Sequence, residues 1–420
     1  MYVADSRAST PASADGAVRP GAGRRRAALA PTVLALGTVS LVTDVSSEMV
    51  TAVLPLYLVT GLGLSPLGFG LLDGVHNGFS ALVRLAGGHL ADRGGGRHKW
   101  VAGLGYAVSA LCKPLLLVAH TLTPIGLVLA ADRTGKGLRT APRDALISLS
   151  STPGDRGRAF GVHRAMDTAG ALLGPLAAFW ILRATVDGYD AVFTVSFCVA
   201  VLGVLVLVLF VPGGAKAAAP AAARPTLRAA LGLLRHRDLR RVAACALLLG
   251  LATVGDSFVY LLLQRRLGVP DRWFALLPLG TAAAFLLLAV VLGRLADRVG
   301  RWSVFLAGHG ALLLVYALLL TSWHGTPLPY LVLALHGCFY AATDGVLMAA
   351  ASTGVPEALR SSGLAVVQTG QALARFACSL LFGAAWTVWG DRAALAGATV
   401  ALAACAVLSL TLRPEGTVTA

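Results

Sequence analysis

The feature that most limits what this chain can become is its succession of long apolar runs, which begins at Pro31 and continues almost to the end. Each is about 18 residues or more, the length a helix rising ~1.5 Å per residue needs to cross ~30 Å of hydrocarbon. Backbone amides in lipid must be paired within their own segment, so such runs fold as helices. We place spans at 31–59, 66–90, 100–120, 124–146, 159–182, 189–211, 242–264, 272–293, 302–322, 327–350, 361–387 and 391–412. Composition agrees: 56% of residues are hydrophobic, 13% are charged and the mean hydropathy is +0.75, outside the range of soluble domains. The expectation is an all-α integral membrane protein with twelve transmembrane helices.

The net charge of +15 has to be placed relative to a bilayer before it says anything about partners, and no nucleic acid is expected among them. Arg24 to Arg26, the loop with Arg93, Arg97 and Lys99, the turn with Arg156 and Arg158, and Arg294, Arg298, Arg301 and Arg360 fall on one side. The alternate loops at 60–65, 121–123 and 323–326 are short and nearly uncharged. Arg265, Arg266 and Arg272 dissent and are outvoted. The positive-inside rule then makes this a multi-pass protein of the cell membrane with both termini cytoplasmic. A cleaved secretory signal is the rival reading of the start, but the run after Arg26 is too long for an h-region and carries acids.

Two loops repeat. GHLADRGGGRHK at 88–99 and GRLADRVGR at 293–301 share Gly-x-Leu-Ala-Asp-Arg, and Asp92 and Asp297 lie about half the chain apart. Arg158 with Gly161 and Arg360 with Gly363 repeat at nearly the same separation, each pair opening the fifth helix of its half. A repeat of this length between apolar runs means a duplicated bundle. The expected organisation is a tail (1–27), an N-terminal six-helix bundle (28–211), a linker (212–241), a C-terminal six-helix bundle (242–412) and a tail (413–420). The linker starts rich in Pro, Ala and Gly, as flexible tethers do. From Thr226 to Arg241 its leucines and arginines fall at helical spacing, which fits a segment lying on the membrane surface.

With these loops after the second and eighth of twelve spans, the chain resembles the major facilitator superfamily over residues 31–412. The resemblance implies two pseudo-symmetric bundles, alternating access and a substrate held between the halves near the midplane. It also makes Gly88, Asp92, Arg93, Arg97, Gly293, Asp297, Arg298 and Arg301 a cytoplasmic gate motif, with the two aspartates clasping the halves on the inside. Three glycines (Gly94 to Gly96) stand in the first copy where the pattern has one spacer and one glycine. Arg133 and Gly137 in the fourth span are similar to a family motif whose arginine is implicated in proton coupling. Gly161, Gly170, Gly174 and Pro175 in the fifth resemble the exporters' antiporter motif, although Ala178 and Phe179 replace its closing glycine pair.

Charges inside a span are costly and mark function. Asp44 and Glu48 lie one turn apart on one face of the first helix, where an acid that gains and loses a proton could carry it across. Counting ~1.5 Å per residue from Pro124 sets Arg133 level with Asp44. The expectation is therefore that Asp44, Glu48 and Arg133 form the proton-coupling set, with Arg133 paired to Asp44 in one state. Arg139 and Arg143 are expected to run on toward the cytoplasmic interface, and Arg164 to pair with Asp167 at i, i+3. Asp73, His76, Lys136, Asp167, Asp256, Tyr260, His336, Tyr340, Asp344, Gln368, Gln371 and Arg375 are candidates for the substrate cavity. The N-terminal half would handle protons and the other half more of the substrate.

The six cysteines lie within spans and form no C-x-x-C pair. With no metal-ligand spacing, neither a metal nor a cofactor is expected beyond the proton as coupling ion. No hydrolase triad, H-E-x-x-H or P-loop pattern occurs, so an enzyme, a non-transporting sensor or an ATP-driven pump is disfavoured. The expectation is a secondary transporter, functional as a monomer, that exports a small amphipathic molecule or metabolite against protons. Uptake of a small anionic solute is the alternative, because Arg133, Lys136 and Arg375 place positive charge in the interior.

Overall fold

The computed structural model describes residues 30–93, 98–152, 155–186, 188–213, 232, 235, 237–323, 325–344, 346–347 and 360–412; the side chains of 80–93, 238, 267, 360–363 and 365 are also outside its description. The two tails, most of the linker, Arg97 and the side chains of Asp92 and Arg93 thus lie outside the described residues.

Six helices make the first half: α1 (Pro31–Leu56), continued by a π-helical turn over Tyr57–Gly61, α2 (Pro66–Arg93), α3 (His98–Val118), α4 (Leu122–Leu149), α5 (Arg156–Ala184) and α6 (Gly188–Phe210). The second half holds α7 (Arg237–Ala252), α8 (Asp256–Leu267), the single turn α9 (Asp271–Phe274), α10 (Leu277–Val299), α11 (Arg301–Leu320), α12 (Leu328–Thr343) and α13 (Arg360–Thr411). Eight segments are long and apolar enough to cross a membrane by length and composition. One of them is α13, which contains two spans because Gly390, at φ 84°, turns the chain back. The helices α2 and α4 carry several charges, and the described part of the tenth span is short. Together with those eight segments they complete the twelve.

Packing repeats between the halves. In the first, α1 lies on α5, while α2 and α3 both lie on α4. In the second, α7 lies on the first arm of α13, while α10 and α11 both lie on α12. First-with-fifth, second-with-fourth and third-with-fourth contacts thus recur in each six-helix bundle.

The expected seventh span, 242–264, is not one helix. It breaks at Thr253–Gly255, and the hydroxyl of Tyr316 on α11 accepts the orphaned Val254 N–H at 2.8 Å. Broken backbone survives at membrane depth only where it is buried or lines a cavity, and here it does the latter. The turn at 300 needs its glycine, with Gly300 at φ 98° between α10 and α11.

The halves meet through α2 and α13. Leu67 N–H donates to Thr387 Oγ1 at 3.0 Å, and Phe258 of α8 packs edge-on against Phe69 of α2 and Phe382 of α13, both at 4.9 Å. Phe179 of α5 meets Trp273 of α9 at 5.1 Å. These contacts close the molecule at the end carrying the short uncharged loops. At the arginine-rich end, Asp297 is 68% exposed and pairs with Arg301, the first residue of α11, at 3.4 Å across the Gly300 loop, so this copy of the gate motif bonds locally here.

Candidate functional site

Asp44 and Glu48 do share a face of α1, and α5 is pressed against it. A Cβ on Gly170 would sit 2.5 Å from the Leu41 carbonyl and 3.1 Å from the Asp44 Cβ. One on Gly174 would sit 2.7 Å from the Glu48 Cβ. Two glycines of the antiporter-like motif therefore let the fifth helix approach the first at its two acids, with Pro175 in the next position. Gly161 meets nothing within 4 Å and has no such role.

In this state Asp44 and Arg133 face other partners than the pairing expected for one state of the cycle. Arg133 binds its sequence neighbour Asp132 at 2.6 Å, and Lys113 of α3 takes the other carboxylate oxygen at 2.8 Å. Asp44 instead faces Arg139 at 3.4 Å. That guanidinium is 3% exposed and lies over the Tyr106 ring at 4.6 Å, so it is a buried partner and not an interfacial charge. Its Nη1 has no hydrogen-bond acceptor among the described residues. Arg143 is buried as well: it donates to Ser40 Oγ at 3.3 Å and to Asp144 at 3.1 Å, and lies 3.8 Å from Asp167. Asp167 faces Arg143 and His163 (3.5 Å). Ser40 joins the group through His163 Nε2 at 3.4 Å.

Glu48 opens onto a cavity between the halves of about 1040 Å³, counted with the solvent it joins. Of the expected cavity residues, His76, Asp256, Tyr260, Tyr340 and Arg375 line it. The hydroxyl of Tyr340 donates to Asp256, the first residue of α8, and His336 Nε2 lies 3.4 Å from the same carboxylate behind it. Tyr260 donates to Thr281 at 3.0 Å. Apolar walls come from both halves, among them Ala52, Leu172, Phe274 and Leu279.

The other candidates lie off this lining. Lys136 and Asp167 stay within the first half. Asp344 follows the last turn of α12, and Gln371 packs on Gly250 of α7. Gln368, two turns before Arg375, is also off the wall. Asp73 is buried behind the wall against Ser379. Sequence reasoning missed Lys113, Ser40, Tyr106 and Ser379; a lone lysine in the apolar run of α3 was the signal that should have called for a buried acid.

Twelve spans in two like-packed halves, with a cavity between them and buried arginines paired to acids inside the first half, have the architecture of a membrane transporter. The sequence matches the Major Facilitator Superfamily over residues 36–379 and 281–418, and the chain belongs to that superfamily of transporters. It is 29% identical over 384 residues to an uncharacterized MFS-type transporter of Methanocaldococcus jannaschii, covering 89% of this chain and 93% of that one. A shorter match, 31% over 125 residues, is to multidrug resistance protein MdtH of Cronobacter sakazakii, covering 30% of this chain and 31% of that protein. Among solved structures, the nucleoside transporter NupG superposes with a TM-score of 0.78 at 15% identity, over 91% of this chain and 98% of that one. At such identity the likeness speaks for the fold alone.

Proposed function

We propose that this chain is a proton-coupled antiporter that exports a small amphipathic molecule or metabolite by alternating access. The observation that carries the reading is the Asp44–Arg139 pair, sealed between α1 and α4 one turn from Glu48 on the cavity wall. A proton arriving on Asp44 cancels the charge that holds Arg139, and the guanidinium, with Nη1 unmet in this state, is free to change partners. Such a swap is an electrostatic bias on a two-state bundle. Glu48 lies where the same proton can be exchanged with the cavity.

Export is favoured by the two motif glycines at these acids and by the partial similarity to a multidrug resistance protein. Glu48, Asp256 and Arg375 all line the cavity, two acids to one arginine, a balance that speaks against the alternative, uptake of an anionic solute. The arginine-rich loops put both termini in the cytoplasm, and the solute pathway lies within one chain, which fits action as a monomer with no cofactor but the proton.

Proteoliposomes loaded with a pH-sensitive dye test this. Candidate amphipathic cations, neutral solutes and anions are added in turn. Antiport predicts that a substrate entering the vesicles draws protons out, and that an imposed pH gradient drives its uptake in the opposite sense. Solute movement with no proton flux, or co-directional flux with an anion, would overturn the reading.

A further inference from the structure

Asp73 was expected to face the substrate, yet its carboxylate belongs to the contact between the halves. It is 6% exposed, and its Oδ2 accepts a hydrogen bond from Ser379 Oγ of α13 at 2.7 Å. The same oxygen lies against the break before α8, where a Cβ on Gly255 would come within 2.8 Å of it. One side chain of the first half thus touches two elements of the second. Around it α2 and α13 are in backbone contact: a Cβ on Gly74 would meet the Phe376 ring at 2.9 Å, and one on Gly383 would meet the Pro66 carbonyl at 2.5 Å.

We propose that Asp73 and Ser379 are positioning residues for the transport cycle, a latch that holds the short-loop end shut and so sets the balance between the two access states. Alternating access requires α2 to part from α13 at this end, and the Asp73–Ser379 bond cannot survive that parting. Both partners are buried, so a hydrogen bond lost here is not made good by water and leaves a polar group unmet. The seam on either side is mostly glycine against backbone and ring, which gives shape but little polar hold; Leu67 N–H to Thr387 bonds at its exposed edge, and the latch supplies a buried polar hold. Its place at the helix break ties opening of the gate to movement of α8, whose first residue faces the cavity. The role needs neither substrate nor proton on Asp73, so it stands whichever solute and ion are carried.

Spin labels at Ser65 and Val388 report the short-loop end, and labels at Arg156 and Val299 the other, in full-length protein reconstituted in bilayers. Ser379→Ala and Asp73→Ala are expected to raise the population with a long 65–388 distance and a short 156–299 distance by about tenfold, a factor equal to ~1.4 kcal/mol. Asp73→Asn, which can still accept from the serine, should fall between them and the parent. Ser379→Ala removes one oxygen and guards against a variant that fails to fold. Distance populations unchanged in Ser379→Ala and Asp73→Asn, or shifted toward the closed form, would overturn the latch. A purely structural role would lower the melting temperature without moving the two distances in opposite directions.

Discussion

Asp44 faces Arg139 across 3.4 Å, while Asp132 holds Lys113 and Arg133 at shorter range, and this difference assigns different work to the two arginines. A doubly paired buried acid is a fixed strut, since removing one partner of a buried pair costs about 3–5 kcal/mol. A longer pair with an unmet donor, at an acid that Lys136 and Arg143 also neighbour, is poised to exchange. Arg133→Gln should therefore lower the melting temperature strongly, with coupling retained in the protein that folds. Arg139→Gln should leave the melting temperature closer to the parent and uncouple proton from solute flux. Arg139→Lys is expected to restore only part of the coupling, because a lysine lacks the planar fork that serves two acceptors. Thermal denaturation in detergent and flux in vesicles separate the two; equal loss of coupling in both glutamine variants would contradict the assignment. Asp44 and Glu48 were legible in the sequence because acids inside an apolar run announce themselves. Arg139 was not, because six residues are only ~9 Å of helix, less than the uncertainty in matching depths of two tilted helices, and the rotation that turns Arg133 toward α3 is tertiary.

At the scale of helices, α5 is shaped to fit α1. With Gly174 close enough that a methyl group would overlap Glu48 and the Met49 amide, Gly174→Ala should force the helices apart. Overpacking of this kind costs about 1–3 kcal/mol, read as a lower melting temperature together with reduced flux. Gly161→Ala, with open space around it, should change neither; a comparable loss there would show that motif membership and not packing governs these positions. Helix number and order could be read from apolar run length. The break at Thr253–Gly255 could not, since it falls inside a run long and apolar enough to read as one span and the group that makes it tolerable, the Tyr316 hydroxyl, comes from another helix.

For the whole molecule, the duplicated loops foretold two equivalent bundles, and the repeated helix pairings are that duplication in three dimensions. Which end is closed is not written in the repeat, because it is a relation between halves and not within one. In this state the short-loop end is sealed by aromatic and backbone contacts, and Asp297 pairs with Arg301 across the Gly300 loop. A clasp by Asp297, which we propose for the inner gate, would then belong to the opposite state. Asp297→Asn should slow cycling while leaving substrate binding near normal, measured as exchange rate against equilibrium affinity; a large loss of affinity would contradict a gating role.

The central claim is that proton binding at Asp44 drives the cycle, and Asp44→Asn tests it most directly. In one set of proteoliposomes, substrate counterflow at equal pH and substrate-driven proton flux are measured side by side. The account predicts that counterflow persists and proton flux is lost, since the bundle can still rock but has no charge to trade with Arg139. Proton flux that continues at the parent rate in Asp44→Asn would contradict it.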